Sequence, residues 1–139
     1  MTSDDHAGPR EITATMRVAR PTSDLTRTRE FYEHLVGLAV LGEFADHDGY
    51  DSVIFGVPDE RAQLEIVDPP HAIVPQPTVE DALVLYLTPE SKTEIAQRLR
   101  AAGAIEVAAD TPDLNPYWPR SGATAFVDPD GYMLILASD

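Results

Sequence analysis

The 139-residue sequence contains no cysteine, so it can form no disulfide bond and offers no thiolate for catalysis. It also has no apolar run approaching the roughly 20 residues that cross a bilayer. The first ten residues include Asp4 and Asp5 and lack the basic start and the apolar stretch of a signal peptide. From these three absences we expect a protein of the cytoplasm.

Basic residues are scarce as well, with 10 Lys and Arg against 24 Asp and Glu and a formal net charge of −14. Such a field repels phosphate backbones and anionic lipid surfaces, so neither nucleic acid nor a membrane is expected as a partner. It would attract a cationic ligand, although an acidic surface also serves solubility alone. The hydrophobic share of 43% is ordinary for a folded domain.

The first half of the chain has the pattern of a strand, a helix and three further strands. Alternating apolar residues at 15–21 predict a strand that ends at Pro21. Ser23 and Asp24 offer side-chain caps for a helix that ends at Gly37. Three more strands are then predicted at 38–44, 50–56 and 62–67, with turns at 46–49 and 58–60.

The same order repeats after a linker at 68–80, which holds four prolines and therefore suits neither a helix nor a central strand. A strand is predicted at 82–87 and a helix from Thr88 to Gly103. The last strands are predicted at 105–108, 122–127 and 132–137. The sequence thus predicts one α+β domain of two paired βαβββ modules that form a cleft. Its parts are a flexible tail (1–13), module one (14–67), the linker (68–80) and module two (81–139).

Residues 109–121 are an insertion in module two with no counterpart in module one. The insertion contains Asn115-Pro116-Tyr117-Trp118. An aromatic loop near the rim of a cleft is a candidate for ligand binding. The alternative for Trp118 is that its ring anchors the loop by burial.

Three groups of residues carry a family resemblance. They are Val18 to Leu25 followed by Phe31-Tyr32, Leu64-Glu65-Ile66, and Gly122 to Phe126 leading into Asp128-Pro129-Asp130-Gly131-Tyr132. Together they resemble the vicinal oxygen chelate superfamily, which contains glyoxalases, bleomycin-resistance proteins, extradiol dioxygenases and fosfomycin-modifying transferases. The resemblance covers nearly the whole chain from residue 15 on. It implies a cleft between the modules and a homodimer, but a fold alone does not choose among these functions.

In catalytic members of that superfamily, the cleft holds a divalent metal ion on the first and fourth strands of each module. The resemblance places Arg17, Glu65, Leu83 or Val84, and Ile135 at these positions. A guanidinium donates hydrogen bonds and accepts none, so it is no metal ligand. One carboxylate cannot supply the several ligands that a bound ion needs. We therefore expect no metal and no other cofactor.

The histidines do not complete such a site in the predicted fold. They lie in the tail, near the end of a helix, in a turn and in the linker: His6, His34, His47 and His71. None occupies a cleft-facing strand position, and no two have the short spacing of a zinc-binding pair. We expect them to be exposed to solvent.

Alternation along the strands predicts which residues line the cleft instead. Met16 and Val18 are expected to pack on the helix, and Arg20 falls with this core set. The predicted ligand-binding residues are Arg17, Ser52, Ile54, Gln63, Glu65, Met133 and Ile135 on the strands, with Tyr117 and Trp118 on the loop.

These residues leave three functions open. The first is a metal-independent binding protein of the bleomycin-resistance type, in which Arg17, Glu65 and the loop aromatics hold a cationic or aromatic small molecule. The structural alternative is that Arg17 and Glu65 simply pair with each other. The second function is a metal-free isomerase with Glu65 as general base, although an adjacent arginine weakens a carboxylate as a base. The third is a metal-dependent lyase, dioxygenase or transferase with its ligands at other positions.

Overall fold

The computed structural model describes residues 11–57 and 61–139, so the predicted turn at 58–60, residues 1–10 of the predicted tail and His6 lie outside it. Module one has β1 (Met16–Pro21), α1 (Leu25–Glu30), a π-helical continuation (Phe31–Val36), β2 (Ala39–His47), β3 (Tyr50–Gly56) and β4 (Ala62–Asp68). The Asp24 carboxylate caps α1 by accepting a hydrogen bond from the backbone N–H of Arg27. The helical segment ends where Gly37 adopts a φ of 92°, a conformation that suits glycine.

Module two repeats this order with β5 (Ala82–Leu87), α2 (Pro89–Ala101), β6 (Ile105–Val107), a short α3 (Tyr117–Arg120), β7 (Thr124–Val127) and β8 (Met133–Ser138). The Thr88 hydroxyl caps α2 by accepting from the backbone N–H of Ser91. The helix α3 lies within the insertion and was not predicted. Within the described residues, no helix has the length and apolar character of a membrane span.

Each module folds into a four-stranded sheet, with the order β1-β4-β3-β2 in sheet 1 and β5-β8-β7-β6 in sheet 2. The first and last strands of each module pair in parallel, and the other neighbours are antiparallel. The identical strand order confirms the predicted α+β fold of two paired modules.

The two modules share one hydrophobic core, built from the helix-facing sides of both sheets and from the helices between them. Its largest fully buried members include Tyr32, Phe55, Leu99, Phe126 and Leu134. A second, smaller cluster lies on the opposite side of sheet 2 and contains Met133, Ile135 and Ala137. The sides of the sheets that face away from the helices are therefore separated from the common core.

The expected packing of Met16 and Val18 on the helix was wrong, since these side chains are 68% and 50% exposed. The reason is that α1 packs against β4, one strand further into sheet 1, and leaves the edge strand β1 uncovered. Both side chains instead border a groove between β1 and β5.

Candidate functional site

Three polar side chains lie together on the side of sheet 1 that faces away from the helices. In the parallel pairing of β1 with β4, Arg17 lies opposite Gln63, and Ala19 lies opposite Glu65. Gln63 and Glu65 alternate with Leu64 and Ile66, whose side chains are buried in the common core. We call Arg17, Gln63 and Glu65 the polar group of sheet 1.

The contacts within the polar group leave hydrogen-bonding capacity unused. Arg17 Nε donates to Gln63 Oε1 over 3.0 Å, and Arg17 Nη1 lies 3.5 Å from Glu65 Oε1. The side chains of Arg17 and Glu65 are 46% and 18% exposed. Within the described part of the chain, the Glu65 carboxylate has this ion-pair contact and accepts no hydrogen bond. Among the described residues, the polar group therefore presents a carboxylate acceptor next to Arg17 N–H donors that neither of its partners occupies.

Strand pairing extends the same face toward β2. Ile54 lies opposite Glu65, Ser52 lies opposite Val67, and Phe44 lies opposite Ser52. Residues directly opposite each other on neighbouring strands share a face of the sheet, so Phe44 and Val67 belong to this face although neither is among the predicted ligand-binding residues. Phe44 is 50% exposed, whereas the predicted ligand contacts Ser52 and Ile54 are buried.

The corresponding face of sheet 2 is covered by the chain itself. Leu114 and Trp118, from the insertion, pack with Ala125, Met133 and Ile135. Ile135 has no exposed surface, so neither it nor the buried Met133 is accessible while the insertion is in place. The neighbouring Tyr117 is exposed and meets the Trp118 ring edge-on, with 5.0 Å between the ring centres. The structure thus places Met133 and Ile135 beneath the insertion, whereas the sequence predicts that they and the insertion contact a ligand together.

Strand register also locates the residues that the superfamily resemblance places at metal-ligand positions. Leu83 is partly buried and packs against the common core, and Val84 lies opposite Ile135 on the other side of sheet 2. By register, the counterpart of Arg17 in module two is Ala82. Arg17 pairs with Gln63, two residues before Glu65, and Ala82 pairs with Met133, two residues before Ile135. None of these aliphatic side chains has a donor atom, so this set does not fit a divalent ion.

The histidines lie elsewhere, in line with the sequence expectation for those that the structure describes. His34, His47 and His71 are exposed. His34 is near Glu30 and Glu33, with Nε2 3.7 Å and 3.9 Å from their carboxylates. Across residues 11–57 and 61–139, no three His, Cys, Asp or Glu side chains are close enough together to hold a metal ion.

A groove of about 860 Å³ separates the edge strands β1 and β5. The Arg20 guanidinium lies in its wall, 4.3 Å from the centre of the Tyr132 ring. Arg20 Nη1 is buried and has no hydrogen-bond partner among the described residues. Among the described residues that line this groove is Gln63, a member of the polar group, whereas Arg17 and Glu65 do not line it.

Comparison with known proteins gives matches to both modules. The sequence matches the YycE-like N-terminal domain over residues 16–67 and the YycE-like C-terminal domain over residues 80–138. It is 36% identical over 128 residues to the uncharacterized protein YycE of Bacillus subtilis (strain 168), covering 88% of this chain and 86% of that protein. The crystal structure of a B. subtilis YycE protein of unknown function matches with a TM-score of 0.76 at 33% identity, covering 91% of this chain and 90% of that chain.

More distant solved structures share the fold alone. The trypanothione-dependent glyoxalase I of Leishmania major matches with a TM-score of 0.70 at 17% identity, covering 91% of this chain and 87% of that one. TnmS3, an antibiotic binding protein from Streptomyces sp. CB03234, matches with a TM-score of 0.64 at 21% identity, covering 94% and 98%. Together with the YycE-like matches of both modules, they confirm the predicted resemblance to the vicinal oxygen chelate superfamily.

Proposed function

Because the chain belongs to the YycE-like family, whose fold is that of glyoxalases and fosfomycin-resistance proteins, we propose that it is a cytoplasmic protein that binds a small organic molecule without a metal ion. The observation that carries this proposal is the polar group of sheet 1. Its carboxylate is mostly shielded from solvent, lies beside a guanidinium and accepts no hydrogen bond from the described residues. A shielded polar atom without a partner gains free energy when a ligand supplies one.

The surroundings of Glu65 support binding without a metal ion. The Arg17 guanidinium lies against the one carboxylate among the family's ligand positions, so a divalent cation there would be repelled by a fixed positive charge. The aliphatic side chains at the other positions would leave the ion without protein ligands. A neutral organic ligand meets neither obstacle.

The proposal is tested by calorimetry and thermal shift on protein treated with EDTA, with and without added Mn²⁺, Ni²⁺ or Zn²⁺. TnmS3 is an antibiotic binding protein of the same fold, so aromatic antibiotics join cationic glycopeptides and vicinal-dioxygen metabolites in the panel. We expect at least one compound to raise Tm without metal, because a ligand that binds only the folded state stabilises it.

A matched pair of variants locates the site of that compound. We expect Glu65→Gln to weaken its binding at least tenfold. The control is Glu106→Gln, because Glu106 also pairs with an arginine, Arg100, over 2.7 Å, but lies in module two. Binding that requires added metal, or that is unchanged in Glu65→Gln, would contradict the proposal.

We also propose that two copies of the chain associate through the groove between β1 and β5. Both strands are sheet edges, and edges with free backbone groups readily pair with another chain. Large exposed apolar side chains border this groove, namely Met16, Val18, Val57 and Tyr86. Clustered exposed apolar surface is typical of an interface.

A further inference from the structure

The polar group of sheet 1 holds two opposite charges, Arg17 and Glu65, that do not use all of each other's hydrogen-bonding capacity. The 3.5 Å separation of Arg17 Nη1 and Glu65 Oε1 exceeds the roughly 2.7–2.9 Å of a charge-assisted hydrogen bond. Arg17 is held instead through Nε, which donates to Gln63 over 3.0 Å. The Nη groups of Arg17 therefore retain N–H donors next to a carboxylate that accepts no hydrogen bond within the described residues.

The charges on this pair decide which ligand groups fit it. An anionic group at Arg17 would lie beside the Glu65 carboxylate, and a cationic group at Glu65 would lie beside the guanidinium. Either would leave one partly buried charge facing a like charge, which is costly. The net charge of −14 attracts cations at long range, but salt screens that field over about 8–10 Å. At contact distance, the Arg17–Glu65 pair, which has no net charge, therefore favours neutral ligand groups over charged ones.

A neutral group with an N–H donor beside a carbonyl acceptor satisfies both charged side chains at once. Its N–H donates to Glu65, and its carbonyl accepts from Arg17, so the two protein charges stay paired. Resting on the proposed function, we propose that the ligand presents an amide-type group, such as a primary amide or a lactam, to Arg17 and Glu65.

The same face of sheet 1 offers apolar surface for the rest of the molecule. Phe44 is half-exposed on β2, a strand that lies about 10 Å from β4 at the usual strand spacing, and it is in register with Val67, two residues along β4 from Glu65. Val67 contributes a partly buried aliphatic side chain to this face. A bicyclic aromatic body attached to the amide has the size to reach from the polar group toward Phe44.

Four probes of matched shape test the amide inference. They are naphthalene-2-carboxamide, naphthalene-2-carboxylate, naphthalene-2-carboxamidine and 2-ethylnaphthalene, which carry a neutral, an anionic, a cationic and an apolar group at pH 7. Binding to the full chain is measured through naphthalene fluorescence at physiological salt. We expect the carboxamide to bind at least tenfold more tightly than each of the others.

Charge variants give a signature that a purely structural role of the pair would not produce. In Glu65→Gln the guanidinium is left alone, so the carboxylate probe becomes the tightest ligand. In Arg17→Gln the carboxylate is left alone, so the amidine probe becomes the tightest. The control Glu106→Gln keeps the order of the unmodified protein, and Phe44→Ala weakens all four probes alike.

The outcomes separate the ligand class from the proposed function. If the carboxylate or the amidine binds the unmodified protein as tightly as the carboxamide, the amide inference is overturned and small-molecule binding stands. The same holds if all four probes fail while another compound binds through Glu65. If no compound binds, both proposals fail.

Discussion

The Tyr32 hydroxyl donates a hydrogen bond to Asp128 Oδ2 over 2.5 Å, and this contact ties the helical segment of module one to a turn of module two. The other oxygen of the Asp128 carboxylate accepts from the backbone N–H groups of Asp130 and Tyr132 at 2.8 Å and 3.0 Å. Tyr32 and Asp128 are both buried. Burial, followed by the charge of Asp128, raises the pKa of Tyr32 well above its ordinary value. The modules are thus joined by a polar contact inside an apolar interface.

Removing this hydroxyl is expected to weaken the contact between the modules. Tyr32→Phe leaves the buried Asp128 carboxylate without its side-chain donor, so the free energy of unfolding should fall by about 1–3 kcal/mol. Urea denaturation measures the loss. The control is Tyr50→Phe at a more exposed tyrosine, where a change within about 0.5 kcal/mol is expected. Equal effects of the two variants would show that the Tyr32–Asp128 contact does not stabilise the fold.

The same carboxylate gives a prediction for pH. Burial raises the pKa of Asp128 above its ordinary value of 3.8, although hydrogen bonds from Tyr32 and the backbone oppose the shift. Between 3.8 and the raised pKa, the folded state binds a proton at Asp128 that the unfolded state does not. The contribution of Asp128 to the free energy of unfolding therefore grows as pH falls through that window and disappears as pH rises through the raised pKa.

The contribution of Asp128 is separated from that of other acids by comparison with Asp128→Asn, which does not titrate. Hydrogen bonds from arginines lower the pKa of Glu33 and Glu106. The stability that these two groups contribute is therefore lost as pH falls, in the unmodified protein and in Asp128→Asn alike. The unfolding free energy of the unmodified chain minus that of Asp128→Asn should therefore rise as pH is lowered toward 4. A difference that instead falls would mean that the pKa of Asp128 is lowered in the folded protein.

Much of the fold was predictable from sequence because local chemistry marked the ends of its elements. β3 and β5 have the predicted bounds, since each pattern of apolar residues is bordered by turn or linker residues. The caps at Asp24 and Thr88 and the glycine at Gly37 were also confirmed. These features depend on side-chain types within a few residues, which a sequence displays directly.

What covers each face was not predictable, because alternation assigns residues to sides of a sheet and says nothing about what packs on them. Arg17, Gln63 and Glu65 share a side as alternation predicts, but the exposure of Val18 depends on where α1 lies. Phe44 was missed because the irregular pairing of β2 breaks the alternation on both sides of it. The four-residue helix α3 is too short to show helical periodicity.

Association through the groove between β1 and β5 is tested by charging its border. Val18→Arg places a guanidinium among apolar side chains, which an interface would have to bury without a partner. Light scattering during gel filtration should give about twice the 15.2 kDa chain mass for the unmodified protein and the single-chain mass for the variant. The control Val74→Arg changes a more exposed valine in the linker and should remain dimeric. A monomeric unmodified protein, or two dimeric variants, would overturn this interface.

Trp118 packs with Leu114 on the outer face of sheet 2. Trp118→Ala removes a partly buried ring, so the free energy of unfolding should fall by about 2 kcal/mol, less than the 3–5 kcal/mol of a fully buried aromatic. The matched change at the exposed neighbour, Tyr117→Ala, should cost less than about 1 kcal/mol. Because Trp118 holds the insertion on sheet 2 and the polar group lies on sheet 1, neither variant should alter the affinity for the naphthalene carboxamide more than about twofold. Denaturation and probe titration on the same samples measure the two effects. If Trp118→Ala instead weakened the probe and left stability unchanged, the ring would act on the ligand rather than on the fold.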